Sequence, residues 1–128
     1  MDYSYLIIFL IIGFVVWFQF GTLYAVNKLQ GKDVSHVLLK FNLPVRKKLM
    51  LFFSSERCGP CRAMYPVIDK LKLDYSKVIT IDVGKESELA ERMEIRATPT
   101  TVIINNGLIE KILLGSQSET KLRTFLKK

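Results

Sequence analysis

The two cysteines of this 128-residue chain, Cys58 and Cys61, are separated only by Gly59 and Pro60. A thiolate, and not a thiol, attacks a disulfide, so such a pair can exchange disulfides if one cysteine is accessible and has a lowered pKa. The apolar residues that follow recur at helical spacing, which places Cys58 where a helix begins and where unpaired N–H groups favour its anion. Cys61 would lie one turn into that helix, close enough to attack a mixed disulfide formed on Cys58.

Two neighbouring residues and the histidine count bear on this chemistry. Arg57 directly precedes Cys58 and either adds a cation that favours the thiolate or is a solvated surface charge. Pro60 stiffens the first helical turn without removing a needed donor, because N–H groups there have no intrahelical partner. With a single histidine, His36, the cysteines cannot complete a four-ligand zinc site, and no metal is expected.

The hydrophobic pattern predicts the elements that position the pair. Residues 49–53 form a short unbroken apolar run, which is typical of a strand buried on both faces. Further strands are predicted at 78–81, 100–104 and 108–114, the last two joined by a turn at 105–107. Besides the helix after the cysteines, helices are predicted at 34–41, with Asp33 as its N-cap, at 86–93 and at 118–126. This alternation predicts a parallel strand pair with a right-handed crossover, extended by an antiparallel hairpin.

Several residues together resemble the thioredoxin family. They are the Cys58-Gly59-Pro60-Cys61 sequence between a strand and a helix, Pro66 five residues later, Thr98-Pro99 before a strand, and Gly107 and Gly115 around the last strand. The resemblance runs from about Leu49 to the C-terminus. It implies an α/β fold of the thioredoxin type, in which helices flank a mixed four-stranded sheet.

The resemblance also implies roles for individual residues. Cys58 and Cys61 would be the catalytic pair, and Pro99 would be cis and face them. The backbone of Thr98 would pair with an extended substrate segment, so that Gly59, Pro60, Thr98 and Pro99 form the substrate-binding surface. No cofactor is implied.

The chain departs from the thioredoxin pattern near the cysteines. Thioredoxins carry a buried aspartate six residues before the first cysteine, where this chain has Phe52, and the lysine that accompanies it is matched by Val78. Thioredoxins usually have a tryptophan just before the first cysteine, where this chain has Arg57. The first strand of full-length thioredoxins has no clear counterpart in this chain. Phe52 and Arg57 are therefore expected to modulate the reaction.

The N-terminus carries the apolar excess of the chain. No charged residue occurs from Tyr3 to Asn27, which is long enough to span a bilayer as a helix. We predict a retained single-pass anchor at 1–27 that contacts the membrane through residues 5–24, a linker with a short helix at 28–46, and a thioredoxin-like domain at 47–128. Lysines and arginines follow the span and none precedes it, so the positive-inside rule favours a cytoplasmic domain, with an envelope-facing domain as the alternative.

The rest of the chain is basic, since all nineteen lysines and arginines but only eleven acidic residues follow residue 27. The basic residues are scattered and are not interleaved with aromatic residues, which argues against nucleic-acid binding. A basic face lying against anionic lipid suits an anchored domain better.

The favoured function is a membrane-tethered thiol-disulfide oxidoreductase that reduces protein disulfides, because Gly-Pro between the cysteines resembles the reducing members of the family. Its expected partners are protein disulfide substrates and an electron donor, either thioredoxin reductase or a membrane thiol reductant. One alternative is an envelope-facing thiol reductase for cytochrome c or other envelope protein maturation. Another is a non-enzymatic chaperone or assembly subunit that holds Cu(I) through Cys58 and Cys61 with methionines nearby. For Met50, Met64 and Met93 themselves, packing in the core or at its rim is the favoured interpretation over copper ligation.

Overall fold

A computed structural model gives the fold of the chain and describes residues 2–127. Within that range two N-terminal helices precede alternating strands and helices, and two consecutive strands precede the last helix. The helices are α1 (Tyr3–Leu29), α2 (Ser35–Lys40), α3 (Gly59–Asp74), α4 (Ser87–Arg92) and α5 (Glu119–Lys127). The strands are β1 (Lys48–Ser54), β2 (Val78–Asp82), β3 (Thr100–Asn105) and β4 (Leu108–Leu114).

The strands form one mixed sheet in the order β2-β1-β3-β4. β1 and β2 are parallel and connected through α3, whereas β3 is antiparallel to both β1 and β4. The turn between β3 and β4 contains Asn106 and Gly107, which both have positive φ, at 51° and 81°. Such a pair is typical of the tight turn that matches the twist of a β-hairpin. The predicted mixed four-stranded sheet is confirmed.

The core lies on both faces of β1, because successive side chains of a strand point to opposite faces. Leu49, Leu51 and Phe53 belong to a cluster with residues of α2 and α4. Met50 and Phe52 belong to a second cluster with residues of α3 and α5. All five side chains are fully buried, which explains the unbroken apolar run in the sequence.

Different segments of the chain lie at the two ends of the sheet. β1 ends and β3 begins at the end where residues 55–61 and 98–99 lie, and we call this the cysteine end. β1 and β2 begin, and the β3–β4 turn lies, at the other end, which we call the anchor end because the chain arrives there from α1. The two ends are about 20 Å apart, since β1 has seven residues and a strand rises about 3.3 Å per residue.

Helix α1 is long and apolar enough to cross a bilayer, and none of its residues is buried. Its 27 residues extend about 40 Å. At its C-terminal end the side chains of Val26 and Leu29 pack against the cluster that includes Leu49 and Leu51. The last turn of α1, residues 26–29, is therefore attached to the domain.

Backbone hydrogen bonds connect the segment after α1 to the start of β4. Gly31 N–H donates to Ile109 O at 2.7 Å, and Ile109 N–H donates to Lys32 O at 3.0 Å. Val34 N–H donates to Gly107 O at 2.8 Å. Residues 31–34 thus pair with the outer edge of the sheet and do not form a free tether.

The structure differs from the sequence predictions at several boundaries. α1 continues to Leu29, and α2 is shorter than predicted. The prediction that Asp33 is the N-cap of α2 is wrong, because Val34 occupies that position. The Asp33 carboxylate instead accepts a hydrogen bond from Ser35 N–H at 2.8 Å, which lowers the pKa of Asp33, and its backbone pairs with Leu108.

Candidate active site

The two cysteines lie at the junction of the loop after β1 and the first turn of α3. Cys58 is the N-cap residue of α3, has extended backbone geometry and is disulfide-bonded to Cys61, with the two Cα atoms 5.3 Å apart. The Cys58 sulfur accepts a hydrogen bond from Cys61 N–H at 3.3 Å. This places an unpaired N–H of the helix terminus on the Cys58 sulfur, where it would stabilise a thiolate after reduction.

The cysteines differ in accessibility. Cys58 is half-buried, whereas Cys61 is fully buried. Gly59 and Pro60 are exposed beside them, and Pro60 lies in the first turn of α3 as predicted. An external disulfide can therefore reach Cys58, while Cys61 is confined to reactions within the site.

Thr98 and Pro99 lie at the same end of the sheet, directly before β3. The Thr98–Pro99 peptide bond is cis, as the resemblance implied. Pro99 is buried and its carbonyl accepts a hydrogen bond from Gly115 N–H at 2.9 Å, while Thr98 is half-buried. The following residue is held as well, because the Thr100 hydroxyl donates to Ala97 O at 2.7 Å.

A shallow groove of about 440 Å³ adjoins the cysteines on the side of β2. Its lining side chains carry two charges of each sign, and Glu56 and Lys85 form an exposed ion pair at 4.0 Å. The lining residues are Ser55, Glu56, Arg57, Asp82, Gly84 and Lys85. Arg57 is therefore an exposed residue of this groove, with its N–H directed to Ser55 Oγ at 3.4 Å.

Phe52 is fully buried on β1 and faces the layer of α3 and α5. Its ring meets the ring of Tyr65 edge-to-face, with the centroids 6.2 Å apart. Val78 belongs to the same apolar cluster. Where the thioredoxin pattern has a buried acid and a lysine, this site thus has an aromatic and an aliphatic side chain.

Thr101 is a residue that the sequence analysis missed. It is the cross-strand partner of Phe52, is fully buried, and its hydroxyl has no hydrogen-bond partner within residues 2–127. The signal for it was present, because Thr101 is a polar residue two positions after Pro99 in a strand whose other buried positions are mostly aliphatic. The Thr101 hydroxyl is thus a polar atom beside Phe52, the position at which the thioredoxin pattern has an aspartate.

The methionines considered as Cu(I) ligands lie in the core. Met50 and Met64 belong to the cluster of α3 and α5, whereas Met93 belongs to the cluster on the opposite face of the sheet. All three are buried. The structure does not bring these three side chains together, and residues 2–127 contain no group of three or more His, Cys, Asp or Glu side chains arranged to hold a metal ion.

The thioredoxin family model matches residues 29–128 of the chain. The chain belongs to the thioredoxin family. The match begins inside the last turn of α1, so it includes the linker and α2, which the motifs alone left outside.

The chain is also similar to individual thioredoxins in sequence and in structure. The chain is 30% identical over 105 residues to the mitochondrial thioredoxin of Mus musculus, an alignment that covers 80% of this chain and 61% of that protein. It is 27% identical over 106 residues to the thioredoxin of Rickettsia prowazekii, covering 80% of this chain and 97% of that protein. The crystal structure of the reduced Schistosoma mansoni thioredoxin pre-protein superposes with a TM-score of 0.61 at 28% identity, covering 77% of this chain and 90% of that one.

Proposed function

We propose that the chain is a thiol-disulfide oxidoreductase that reduces protein disulfides. The observation that carries the proposal is the contrast within the pair: Cys58 is accessible and its sulfur accepts the Cys61 N–H, whereas Cys61 is buried one turn away. This contrast, in a thioredoxin domain, supports Cys58 as the attacking sulfur and Cys61 as the resolving sulfur.

The reaction begins from the reduced pair. The Cys58 thiolate attacks one sulfur of a substrate disulfide, and the other substrate sulfur leaves as a thiolate that takes up a proton from water. Cys61 then loses its proton and attacks Cys58, which releases the second substrate sulfur and forms the Cys58–Cys61 disulfide. The substrate gains two electrons, and a dithiol donor returns them to the pair.

We assign substrate positioning to the residues around the pair. The backbone of Thr98 would hydrogen-bond an extended substrate segment, and the exposed Gly59 and Pro60 would contact its other side. Arg57, in the mixed-charge groove, would contact polar substrate side chains. The donor would be a thioredoxin reductase or a membrane thiol reductant.

Trapping variants test the roles of the two cysteines. In membranes that contain the full chain, Cys61→Ser should accumulate mixed disulfides with substrate proteins, because the resolving sulfur is missing. Cys58→Ser is the matched control and should trap few, because the remaining thiol is buried. Equal trapping by the two variants, resolved on non-reducing gels, would refute the assignment.

We further propose that α1 anchors the chain in a membrane through residues 5–24, with the domain in the cytoplasm. The span is apolar and unburied, and the basic residues follow it. A membrane-impermeant thiol reagent should label reduced Cys58 in permeabilised cells but not in intact cells. Labelling in intact cells would place the domain on the envelope side and support the envelope-facing reductase instead.

A further inference from the structure

The anchor end of the domain carries basic side chains that lack acidic partners. Arg46 and Lys47 precede β1, Lys77 precedes β2, and Lys127 ends α5. All four are exposed, and none is ion-paired within the part of the chain that the structure describes. The nearby acid Asp74 does not neutralise them, because it pairs with Arg123 at 2.6 Å.

A cavity of about 200 Å³ lies at this end, between the beginnings of β1 and β2 and the end of α5. Two lysines, one aspartate, a serine, a tyrosine and a leucine line it: Lys48, Lys77, Asp74, Ser76, Tyr75 and Leu126. The Asp74 carboxylate is occupied by its ion pair with Arg123. The Lys48 ammonium is buried and forms an ion pair with Glu110 at 3.6 Å, but it has no hydrogen-bond partner within residues 2–127. A buried ammonium without a hydrogen-bond acceptor is costly, and an anionic oxygen in the cavity would satisfy it.

The attachment of α1 determines what this end faces. Residues 31–34 pair with the start of β4, and Val26 and Leu29 pack on the core, so the helix joins the domain at the anchor end. The sheet order puts β4 three strands from β2, so the cavity lies about 15 Å from the base of the helix. Both features therefore fall within one footprint on a bilayer surface.

Basic residues that form no ion pair within the described residues also occur at the cysteine end, where Arg57, Arg62 and Arg96 are exposed. The groove there carries Glu56 and Asp82 against Arg57 and Lys85, and Glu56 is paired with Lys85. What distinguishes the anchor end is therefore the cavity with its buried Lys48 ammonium and the position of that cavity near the base of α1.

We propose that the anchor end is a docking surface for an anionic phospholipid bilayer, with a lipid phosphodiester bound in the cavity between Lys48 and Lys77. Arg46, Lys47, Lys77 and Lys127 contact the surrounding headgroups. The proposal rests on the anchoring of α1 and is independent of the redox activity. Docking holds the Cys58–Cys61 pair on the side of the domain away from the lipid, so that the substrates are disulfides in water-exposed protein segments and not in the bilayer.

Lysine protection in nanodiscs tests the proposal with the full chain. The chain is incorporated into neutral phosphatidylcholine discs and into discs that also contain phosphatidylglycerol, and the labelling rate of each lysine by an amine-reactive acetylating reagent is measured by mass spectrometry. In the anionic discs Lys47, Lys77 and Lys127 should label at least about threefold more slowly than in the neutral discs, and about 1 M salt should abolish the difference. Lys85, exposed at the cysteine end, is the internal control and should label equally in both.

Two charge-matched triple variants separate docking from a general effect of charge. In Arg46→Gln/Lys47→Gln/Lys77→Gln, the protection of Lys127 should be lost. In Arg62→Gln/Arg96→Gln/Lys121→Gln, which removes three exposed charges elsewhere, it should persist. Equal protection of Lys127 in both variants, or equal labelling of the native chain in the two kinds of disc, would overturn the docking surface alone. A chain that does not enter discs at all would overturn the anchoring and the docking together, and would leave the redox assignment intact.

Discussion

Phe52 occupies the position at which the family pattern has a buried aspartate near the resolving cysteine. A phenyl ring accepts no proton, and its neighbours Tyr65 and Val78 supply packing. The buried Cys61 thiol must still lose a proton before it attacks. We therefore expect water or hydroxide to accept this proton, so that ionisation of Cys61 limits resolution of the mixed disulfide.

This leads to a prediction on pH. Decay of a preformed mixed disulfide on Cys58 should accelerate from about pH 6 to about pH 9 in the native chain, because the fraction of Cys61 thiolate rises over that range. Stopped-flow release of a fluorescent substrate thiol measures the rate. A flat profile would mean that another group, such as Glu56, already serves as the base.

Phe52→Asp is the complementary change. It should raise the rate of resolution near neutral pH, since the carboxylate can accept the Cys61 proton. It should also lower the free energy of unfolding by about 3–5 kcal/mol, because it removes a buried aromatic ring and buries a polar group. Phe52→Leu, which keeps the site apolar, should leave the pH profile unchanged. A folded Phe52→Asp variant that resolves no faster would contradict the argument.

The adjacent threonines of β3 offer a second prediction at the level of single residues. Thr101→Val should raise the free energy of unfolding by about 1–3 kcal/mol, because it replaces a buried hydroxyl that has no hydrogen-bond partner with a methyl group of similar size. Thr100→Val is the matched control and should be destabilising, since the Thr100 hydroxyl donates to Ala97 O at 2.7 Å. Urea unfolding of both variants gives the comparison, and a destabilised Thr101→Val would show that the hydroxyl is used.

The β3–β4 turn contacts α2 at Gly107, where there is no space for an added methyl group. Gly107 has a φ of 81°, and an added Cβ would overlap Ser35 Oγ and lie 3.1 Å from Ser35 Cβ. Gly115 has a similar φ of 76° but open space around it. Alanine substitutions at these two glycines therefore distinguish the cost of a positive φ from the cost of steric overlap with Ser35.

We expect Gly115→Ala to lower the free energy of unfolding by about 1–2 kcal/mol, the cost of a left-handed backbone with a side chain. Gly107→Ala should cost about 1–3 kcal/mol more, because α2 must move away from the turn. The additional Ser35→Gly substitution should recover part of that difference. Equal losses for the two single variants would show that α2 moves freely.

Helices α2 and α4 are joined by a charge pair whose pH dependence can be predicted. Hydrogen bonds from Lys40 and Arg92 lower the pKa of Glu88 below its ordinary value of 4.5. A carboxyl group with a depressed pKa in the folded state stabilises the fold above its unfolded pKa, and that contribution is lost as pH falls through the folded pKa. Lys40→Gln should therefore reduce the loss of stability below about pH 4.5, as measured by urea unfolding across that range.

At the scale of the whole molecule, the core was the most predictable part. The apolar run around Phe52 identified β1, because a central strand has no polar face, and Asn106-Gly107 identified the hairpin through its turn geometry. Cys58 was placed at a helix start by the spacing of the residues after it, and the structure has it as the N-cap of α3. In each case a local pattern carries the information.

The attachment of α1 was less predictable, because it depends on contacts between segments far apart in sequence. Residues 31–34 have the composition of a polar linker, yet their backbone pairs with β4 some 75 residues later. The cavity around Lys48 and the orphaned hydroxyl of Thr101 have the same origin, since each is created by neighbours from several elements. Hydrophobic periodicity along the chain does not indicate such contacts between distant segments.

The backbone pairing of residues 31–34 with β4 has a mechanical consequence. In the anchored chain that we propose, no flexible segment separates α1 from the sheet, so the active site would be held at a fixed height above the bilayer. It would then reach its targets by lateral diffusion in the membrane. We expect such a catalyst to select a target by the height of its disulfide above the membrane as well as by the sequence around that disulfide. A flexible linker inserted between Gln30 and Gly31 should therefore allow the catalyst to accept disulfides over a broader range of heights above the membrane.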